Sequence, residues 1–477
     1  MRMATWGTVG MVIGLSLGLL EAGVSPAAPV AGPVSVTQDQ QKDVAVTVYN
    51  GNLGLVKDTR ELSLGPGTHE VRFMDVAAQI DPTTVHLRSL KDPGGLHVLE
   101  QNYEYDLLSP QKLLDKFVGK KVKLMTGDGS LVDALLLSNN NGAIYQINGQ
   151  IHLGHPGRVI LPDIPENLIS KPTLVWLLQN ATAQPQRVEA SYLTGGITWK
   201  ADYVVVLNAK DSGGDLSGWV TIDNKSGATY ANAALKLVAG DVNRARPRPE
   251  MKAMLEAAGR AAAAAPPQFQ EESFFEYHLY SLERRTTVKQ SQTKQVSLLD
   301  AADIPIKKEL RFYGGSQFFR SQWAQPIPNQ KVSVYLEVAN TEKNHLGMPL
   351  PRGTVRVYKA AADKSLQFIG EDSIDHTPKD EKVRIKMGEA FDVMAERTQR
   401  DWKKIASNVY ETEWDIQIRN HKQEDVQVTV IEPVPGDWEV IKANLPHEKT
   451  DAHTLQFKLD VPKDGKTTLT YRVRMRW

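Results

Sequence analysis

The residues of this sequence best suited to chemistry lie between Gly370 and Glu381, where five acidic side chains and one histidine stand close together. Carboxylates and an imidazole are ligands for a divalent ion, or serve as a general acid and base. The two-residue repeat of a strand would place Asp372 and His376 on the same face. The stretch is equally typical of a solvated connection between the apolar residues at 368–369 and 383–385. Spacing alone leaves both interpretations open.

Three further motifs have simpler explanations. Residues 14–18 match the nucleophile elbow G-x-S-x-G, but they lie inside an apolar N-terminal stretch and not between a strand and a helix. Residues 464–467 resemble the end of a P-loop, yet Asp460 replaces its first glycine, so we expect a hairpin turn. His152 and His155 are too few to bind zinc. We therefore assign no catalytic, cofactor-binding or metal-binding residue and expect no cofactor.

Aromatic and arginine side chains allow two binding hypotheses. All tryptophans except Trp6 lie at or after Trp176. Exposed rings would stack on sugars, but their alternation with aliphatic neighbours favours a buried core. The last strand alternates Tyr471, Val473 and Met475 with Arg472, Arg474 and Arg476. This arginine row suits an anionic surface or polysaccharide, and it equally suits an ordinary solvated strand face.

Composition excludes several protein classes. A length of 477 residues suggests about three folded units. Lys plus Arg equals Asp plus Glu at 56 each, whereas a general nucleic-acid binder is normally basic. The absence of cysteine excludes thiol catalysis, cysteine-ligated zinc and disulfides. We expect no nucleic-acid partner.

The N terminus is typical of a secretory signal peptide. Arg2 precedes an apolar stretch at residues 6–20, and small residues follow. The apolar stretch is shorter than the ~20 residues that span a bilayer, so we expect cleavage after Ala27. An uncleaved anchor is the alternative. No later stretch is long enough to span one either. A cysteine-free exported chain suits the bacterial envelope, so the predicted location is periplasmic or secreted.

Most of the remaining chain alternates apolar and polar residues with a period of two, which predicts strands. Val44, Val46 and Val48 show the pattern and are followed by an Asn50-Gly51 turn signal. Short strands separated by Gly, Asn, Asp and Pro are typical of β-sandwiches. The predicted fold class is mainly β, with several β-sandwiches.

Residues 106–162 have a different pattern. Ser109 and Pro110 are typical of a helix start and Gly119 of a helix end. Five short strands follow, separated by glycine-containing turns. We predict a small SH3-like or Sm-like barrel inserted into a larger β framework. Its lysines at 112–123 are not interleaved with a platform of aromatic residues, which argues against single-stranded nucleic acid as a ligand.

Six stretches together resemble a known family: SYLTGGITWKADY (191–203), GWVT (218–221), NKSG (224–227), LVAGD (237–241), NHLGMPLP (344–351) and GEAFDV (388–393). From about residue 171 to 477 the chain is similar to the domain-of-unknown-function 4139 family, which includes mucoidy inhibitor A-like proteins. Many members carry a helical coiled coil ahead of this region, where this chain has the barrel-like segment. The resemblance implies no reaction and no catalytic residues.

These patterns divide the chain into seven parts: a signal peptide (1–27), an N-terminal β domain (37–105), the inserted barrel (106–162), a β-sandwich of the family domain (163–244), a flexible linker (245–272), the continuation of the family β domain (273–405) and an immunoglobulin-like β-sandwich (406–477). We predict the flexible linker because this segment is rich in proline and alanine and has no apolar stripe that could pack against the rest of the protein.

The export signal, the strand-rich pattern and the lack of a catalytic motif favour a non-enzymatic protein that binds or scaffolds envelope components, either protein or polysaccharide. The alternative is an envelope hydrolase or metal-dependent enzyme acting on cell-wall or exopolysaccharide material. It is motivated by the acidic stretch with His376 and by the family's mucoidy name. The sequence leaves the oligomeric state open.

Overall fold

The computed structural model describes residues 31–105, 109–154, 157–163, 171–240, 242 and 269–476. The predicted signal peptide, His155 and residues 243–268 of the linker region lie outside this part of the chain. The mainly β prediction is confirmed, because strands in five sheets dominate the described residues. Among these residues, no helix has the length and apolar content needed to cross a membrane.

The first part of the chain forms β1 (Ala31–Val36), β2 (Gln41–Tyr49), β3 (Leu53–Leu62), β4 (Gly67–Met74), β5 (His86–Ser89) and β6 (Leu96–Glu104). The inserted segment forms α1 (Pro110–Phe117), β7 (Lys121–Met125), β8 (Leu131–Ser138), β9 (Ile144–Ile147), β10 (Gln150–Leu153) and β11 (Arg158–Ile160). Both lists agree with the predicted alternation and with the predicted helix.

The next elements are β12 (Thr173–Asn180), β13 (Gln186–Thr194), β14 (Ile197–Leu207), β15 (Gly213–Asn224), β16 (Tyr230–Ala239), β17 (Phe269–Phe274), β18 (Tyr277–Leu282), β19 (Thr286–Val288) and β20 (Gln292–Pro305). The last are β21 (Lys307–Tyr313), β22 (Ile327–Ala339), β23 (Gly353–Ala360), β24 (Leu366–Ile374), β25 (Lys382–Ala406), β26 (Val409–Asn420), β27 (Val426–Pro433), β28 (Asp437–Ala443), β29 (His447–Lys449), β30 (Thr454–Val461) and β31 (Gly465–Arg476). Residues 269–272 of the predicted linker therefore belong to β17.

Three sheets share one hydrophobic core and form a unit that we call the framework. Their strand orders are β1-β4-β12-β6, β17-β18-β16-β2-β3-β13-β5 and β20-β15-β14-β23-β24, with β19 beside β16. The N-terminal strands β2 and β3 lie between β16 and β13, which come from much later in the chain. Strands on either side of the predicted boundary at residues 162–163 thus pair with one another.

A buried arginine connects the sheets of the framework. Arg60 donates to the carbonyl oxygens of Val36 at 2.9 Å and Met74 at 2.8 Å and forms an ion pair with Asp58. Its guanidinium lies 3.7 Å from the centre of the Phe73 ring. The charge is therefore paired and hydrogen-bonded, which is the condition for burying it.

The inserted segment has a core of its own, built from α1 and from four of its five strands, β7, β8, β9 and β11. Ser109 caps α1 by accepting from the backbone N–H of Lys112. The strand order is β10-β9-β8-β7-β11, and closure of this path into the predicted barrel is not confirmed. Glu104 and Thr173 are directly paired, so the insert leaves and rejoins the framework at the end of one strand pair.

The C-terminal strands form a sandwich around a second core. Its pairing order is β28-β31-β26-β25-β22-β21-β27-β30-β29, so β21, β22 and β25 contribute from before residue 406. Phe457 and Tyr471 lie far apart in this order, yet their ring centres are 5.2 Å apart, which shows that the two halves of the sheet face one another. The predicted hairpin at residues 464–467 is wrong, because β30 pairs with β27 whereas β31 pairs with β26. The turn instead carries the chain between the two layers.

Candidate functional site

An open cleft of about 550 Å³ lies where the β2–β3 turn, β14 and the ends of β23 and β24 meet. It is lined by Asn50, Gly51, Thr198, Trp199, Lys200, Ala201, Arg352, Gly353, Thr354, Ser373, Ile374, Asp375 and His376. We call it the Asn50 cleft. Its walls combine residues that are more than 300 positions apart in the sequence, which only the pairing of distant strands brings together.

Buried aromatic side chains hold these walls in place. Trp199 donates through Nε1 to the carbonyl oxygen of Val238 at 3.2 Å, and Tyr203 donates to that of Pro351 at 2.7 Å. Tyr280 donates in the same way to the carbonyl oxygen of Pro349 at 2.8 Å. Three of the stretches that carry the resemblance are thus joined, and the loop before Arg352 is fixed against β14.

Asn50 lines the cleft, and its side chain is only partly hydrogen-bonded. The side-chain Nδ2 of Asn50 donates to the backbone carbonyl oxygen of Trp199 at 3.3 Å. The backbone carbonyl oxygen of Asn50 accepts from the Thr198 hydroxyl at 3.2 Å. The Oδ1 atom is buried and has no hydrogen-bond partner within the described part of the chain. Buried polar atoms normally have partners, so the missing partner of this oxygen is unusual.

Charged side chains line the same cleft. Lys200 contacts the carboxylate of Asp202 at 3.1 Å, and that carboxylate also contacts Arg356 at 3.3 Å. The Nδ1 atom of His376 accepts from the backbone N–H of Arg352 at 3.2 Å, which orients the ring. The cleft therefore offers donors, acceptors and positive charge.

The acidic stretch with His376 is only partly brought to the cleft. The strand alternation ends with β24 at Ile374. Of the titratable residues between Gly370 and Glu381, Asp375 and His376 line the cavity. Asp372 instead accepts from the backbone N–H groups of Ser373 and Lys386, each at 2.8 Å. Nowhere in the described ranges do three His, Asp or Glu side chains form a group that could hold a metal ion.

Asp202 supports the cleft floor, and its charge gives a testable pH dependence. Burial acts to raise the pKa of Asp202, but hydrogen bonds from Thr221 and Lys200 outweigh it and lower the pKa below its ordinary value of 3.8. Since the folded pKa lies below the unfolded one, the stabilisation is present above about pH 4 and is lost as the pH falls. We expect Asp202→Asn to lower the free energy of unfolding by about 1–3 kcal/mol at pH 7.

Thermal unfolding of both proteins between pH 7 and pH 3 measures this effect. The difference in melting temperature between the wild type and Asp202→Asn should become smaller as the pH falls and the carboxylate of Asp202 becomes protonated. A difference that stays constant down to pH 3 would show that the charge of Asp202 does not stabilise the fold.

The terminal arginine row is already paired with acidic side chains. Arg472 contacts Glu413 at 2.6 Å and Asp401 at 2.7 Å, and Arg474 contacts Glu411 at 2.7 Å. The pairs with Glu411 and Glu413 join the neighbouring strands β31 and β26, and the pair with Asp401 reaches across β26 to β25. Arg472 and Arg474 therefore belong to a cross-strand ion-pair network.

Phe391 is a surface feature that sequence reasoning missed. Its side chain is 93% exposed, although it belongs to the GEAFDV stretch that carries the resemblance. It borders a cavity of about 290 Å³ together with Ile369 and Met387. The period-two pattern of β25 does not reveal it, because the neighbouring Gly388 adopts a positive φ of 119° and interrupts the alternation.

Comparison with protein families matches residues 188–477 to Domain of unknown function (DUF4139). The matched region contains Lys200, Arg352, Asp375 and His376 of the cleft, whereas Asn50 lies before it. Comparison with curated proteins found no match.

Proposed function

We propose that this chain, which belongs to the DUF4139 family of unknown function, is an exported binding or scaffolding protein of the bacterial cell envelope. Its partner in this proposal is polar, either a segment of an envelope protein or a polysaccharide, and binds in the Asn50 cleft. The proposal includes cleavage of the signal peptide after Ala27 and a periplasmic or secreted mature chain.

The observation that carries the proposal is the open cleft itself, whose wall includes the polar side chain of Asn50. Lys200, Arg352 and His376 line the same cavity and add hydrogen-bond donors and positive charge. Binding sites commonly combine a concave shape with a few well-placed polar groups. A ligand with both N–H or O–H donors and acceptor oxygens would match these groups, and peptides and sugars both have them.

The test is recovery of partners by in-cell crosslinking, affinity purification and mass spectrometry. We expect the double variant Lys200→Ala/Arg352→Ala to recover at least tenfold less of the partner than the wild type, because two cleft side chains lose their charge and donors. The control Lys57→Ala/Arg187→Ala removes the same charges from exposed positions outside the cleft. It should recover wild-type amounts, and equal recovery by both double variants would refute the Asn50 cleft as the binding site.

Phe391→Ala is a useful third variant in the same experiment. Its side chain is exposed, so truncation should change the free energy of unfolding by less than about 0.5 kcal/mol. Loss of the partner in this variant but not in the cleft variant would assign binding to the Phe391 surface. N-terminal sequencing of the envelope fraction tests export separately, with Ala28 as the expected first residue.

One observation favours the hydrolase alternative, namely that Asp375 and His376 line the same cleft. An acid and an imidazole at one cavity are a plausible general acid–base pair. Release of new reducing ends from cell-wall or exopolysaccharide material by the wild type, abolished in His376→Asn, would support an enzyme and count against a purely binding role.

A further inference from the structure

A second cleft, of about 460 Å³, lies in the region of β21, the C-terminal end of β22 and the start of β27. Eight basic side chains line it: Lys210, Lys307, Lys308, Arg311, Lys382, Arg384, Lys422 and Lys458. Five acidic side chains line it as well: Asp211, Glu309, Glu337, Glu424 and Asp425. We call it the cationic cleft, and it shares no lining residue with the Asn50 cleft.

Three carboxylates in this region each contact at least two cations. Glu309 contacts Lys307 at 2.7 Å and Arg311 at 2.6 Å. Glu337 contacts Lys382 at 3.0 Å and Arg384 at 2.9 Å. The third carboxylate, Asp211, contacts Lys308 at 2.6 Å and also Lys359, which lines the adjoining cavity. Six basic side chains thus contact three carboxylates, which leaves an excess of three positive charges in this group.

The paired carboxylates Glu309 and Glu337 lie deeper than most of the positive charges, whereas Glu424 and Asp425 are exposed. Glu309 and Glu337 are largely buried, whereas Lys307 and Lys382 are mostly exposed at the rim. Burial acts to raise the pKa of both glutamates, but their cationic partners outweigh it and lower the pKa values below 4.5. The carboxylates therefore stay ionised at neutral pH and hold the cations in place, while the uncompensated charge faces solvent.

This excess is a local feature, because another charged face of the protein does not share it. The whole chain has a formal net charge of zero. On the face of β26 and β31, four basic side chains are opposed by five acidic ones, so no positive charge is in excess there: Arg400, Lys403, Arg472 and Arg474 against Asp401, Glu411, Glu413, Asp415 and Glu439. A concave site lined by one excess sign of charge focuses its field and concentrates ligands of the opposite sign.

We infer that the cationic cleft binds an anionic ligand that carries several carboxylate or phosphate groups. A single small anion would neutralise only part of the excess, whereas a ligand with two or three anionic groups matches it. The rim lysines and Arg384 supply the donors, and an arginine suits carboxylate and phosphate oxygens equally well. This site is independent of the proposed role of the Asn50 cleft.

Binding to labelled polygalacturonate and to polyphosphate, with neutral dextran as the reference, tests the inference. The variant Lys307→Gln/Lys382→Gln/Lys458→Gln removes three rim charges but leaves Arg311 and Arg384 to pair with the buried glutamates. We expect Kd for the anionic polymer to rise at least tenfold. The control Lys57→Gln/Lys121→Gln/Lys466→Gln removes the same charge from exposed sites elsewhere and should change Kd less than twofold.

Comparing the two polymers distinguishes the sources, because tighter binding of polygalacturonate indicates a carboxylate ligand and tighter binding of polyphosphate a phosphate ligand. Added salt should weaken either interaction, since rim charges are screened. Two results would overturn the inference: neither polymer binding more tightly than dextran, or both triple variants weakening binding equally. Melting temperatures close to that of the wild type establish that the variants are folded.

Discussion

Glu432→Gln is expected to destabilise the C-terminal sandwich by about 3–5 kcal/mol, because it leaves the charge of Arg397 buried without a counterion. Both side chains are 0% exposed and form an ion pair inside the core. The guanidinium of Arg397 also lies 4.5 Å from the ring centre of Phe318 and 5.0 Å from that of Trp414. Water cannot reach the charge to replace the lost carboxylate.

The double variant Arg397→Met/Glu432→Met should be considerably more stable than Glu432→Gln. It removes both charges and fills the space with apolar atoms, and buried ion pairs replaced in this way often lose little stability or none. The comparison separates the cost of an unpaired charge from the loss of a contact. A double variant no more stable than the single one would show that the pair itself, and not the orphaned charge, carries the stability.

Urea unfolding followed by tryptophan fluorescence measures these differences, since Trp414 lies in the same core. Glu396→Gln is the matched control, because Glu396 contacts Arg419 at 3.2 Å on a partly exposed face of the same sandwich. Its effect should stay below about 1 kcal/mol. A control effect as large as that of Glu432→Gln would contradict the role of burial.

The second large effect concerns the strands that precede the family region. A fragment of residues 171–477 is expected not to fold its framework, because β2 and β3 form the centre of the sheet between β16 and β13. Without them the fragment would expose two unpaired strand edges and the apolar face that Val46, Val48 and Val56 cover. We expect aggregation or a loss of cooperative unfolding, measured by light scattering and thermal denaturation.

Removal of the insert is the control for this truncation. Because Glu104 and Thr173 are directly paired, residues 105–172 can be replaced by Asn-Gly, which favours a two-residue hairpin turn. The insert has its own core, so its loss should leave the melting temperature of the framework nearly unchanged. A soluble, cooperatively folded 171–477 fragment, or a shortened chain that does not fold, would contradict this account of the architecture.

The sequence alone was sufficient for features encoded by neighbouring residues. Alternation at Val44, Val46 and Val48 indicates the buried face of β2, and the Asn50-Gly51 turn follows directly from residue type. The cap at Ser109 likewise predicts the start of α1. The resemblance to the DUF4139 family, found from short stretches, agrees with the match over residues 188–477. Each of these signals depends on contacts within a few residues.

Tertiary structure decided everything that depends on contacts between distant strands. The acidic stretch did not reveal that Asp372 binds backbone N–H groups while Asp375 and His376 line a cleft with Asn50. The net charge of zero could not reveal the excess of positive charge in the cationic cleft either, because it does not show which charged residues are neighbours. The sequence by itself thus determined strand faces, turns and family. The structure determined both clefts, because strand pairing across tens to hundreds of residues places their side chains together and local periodicity does not encode that pairing.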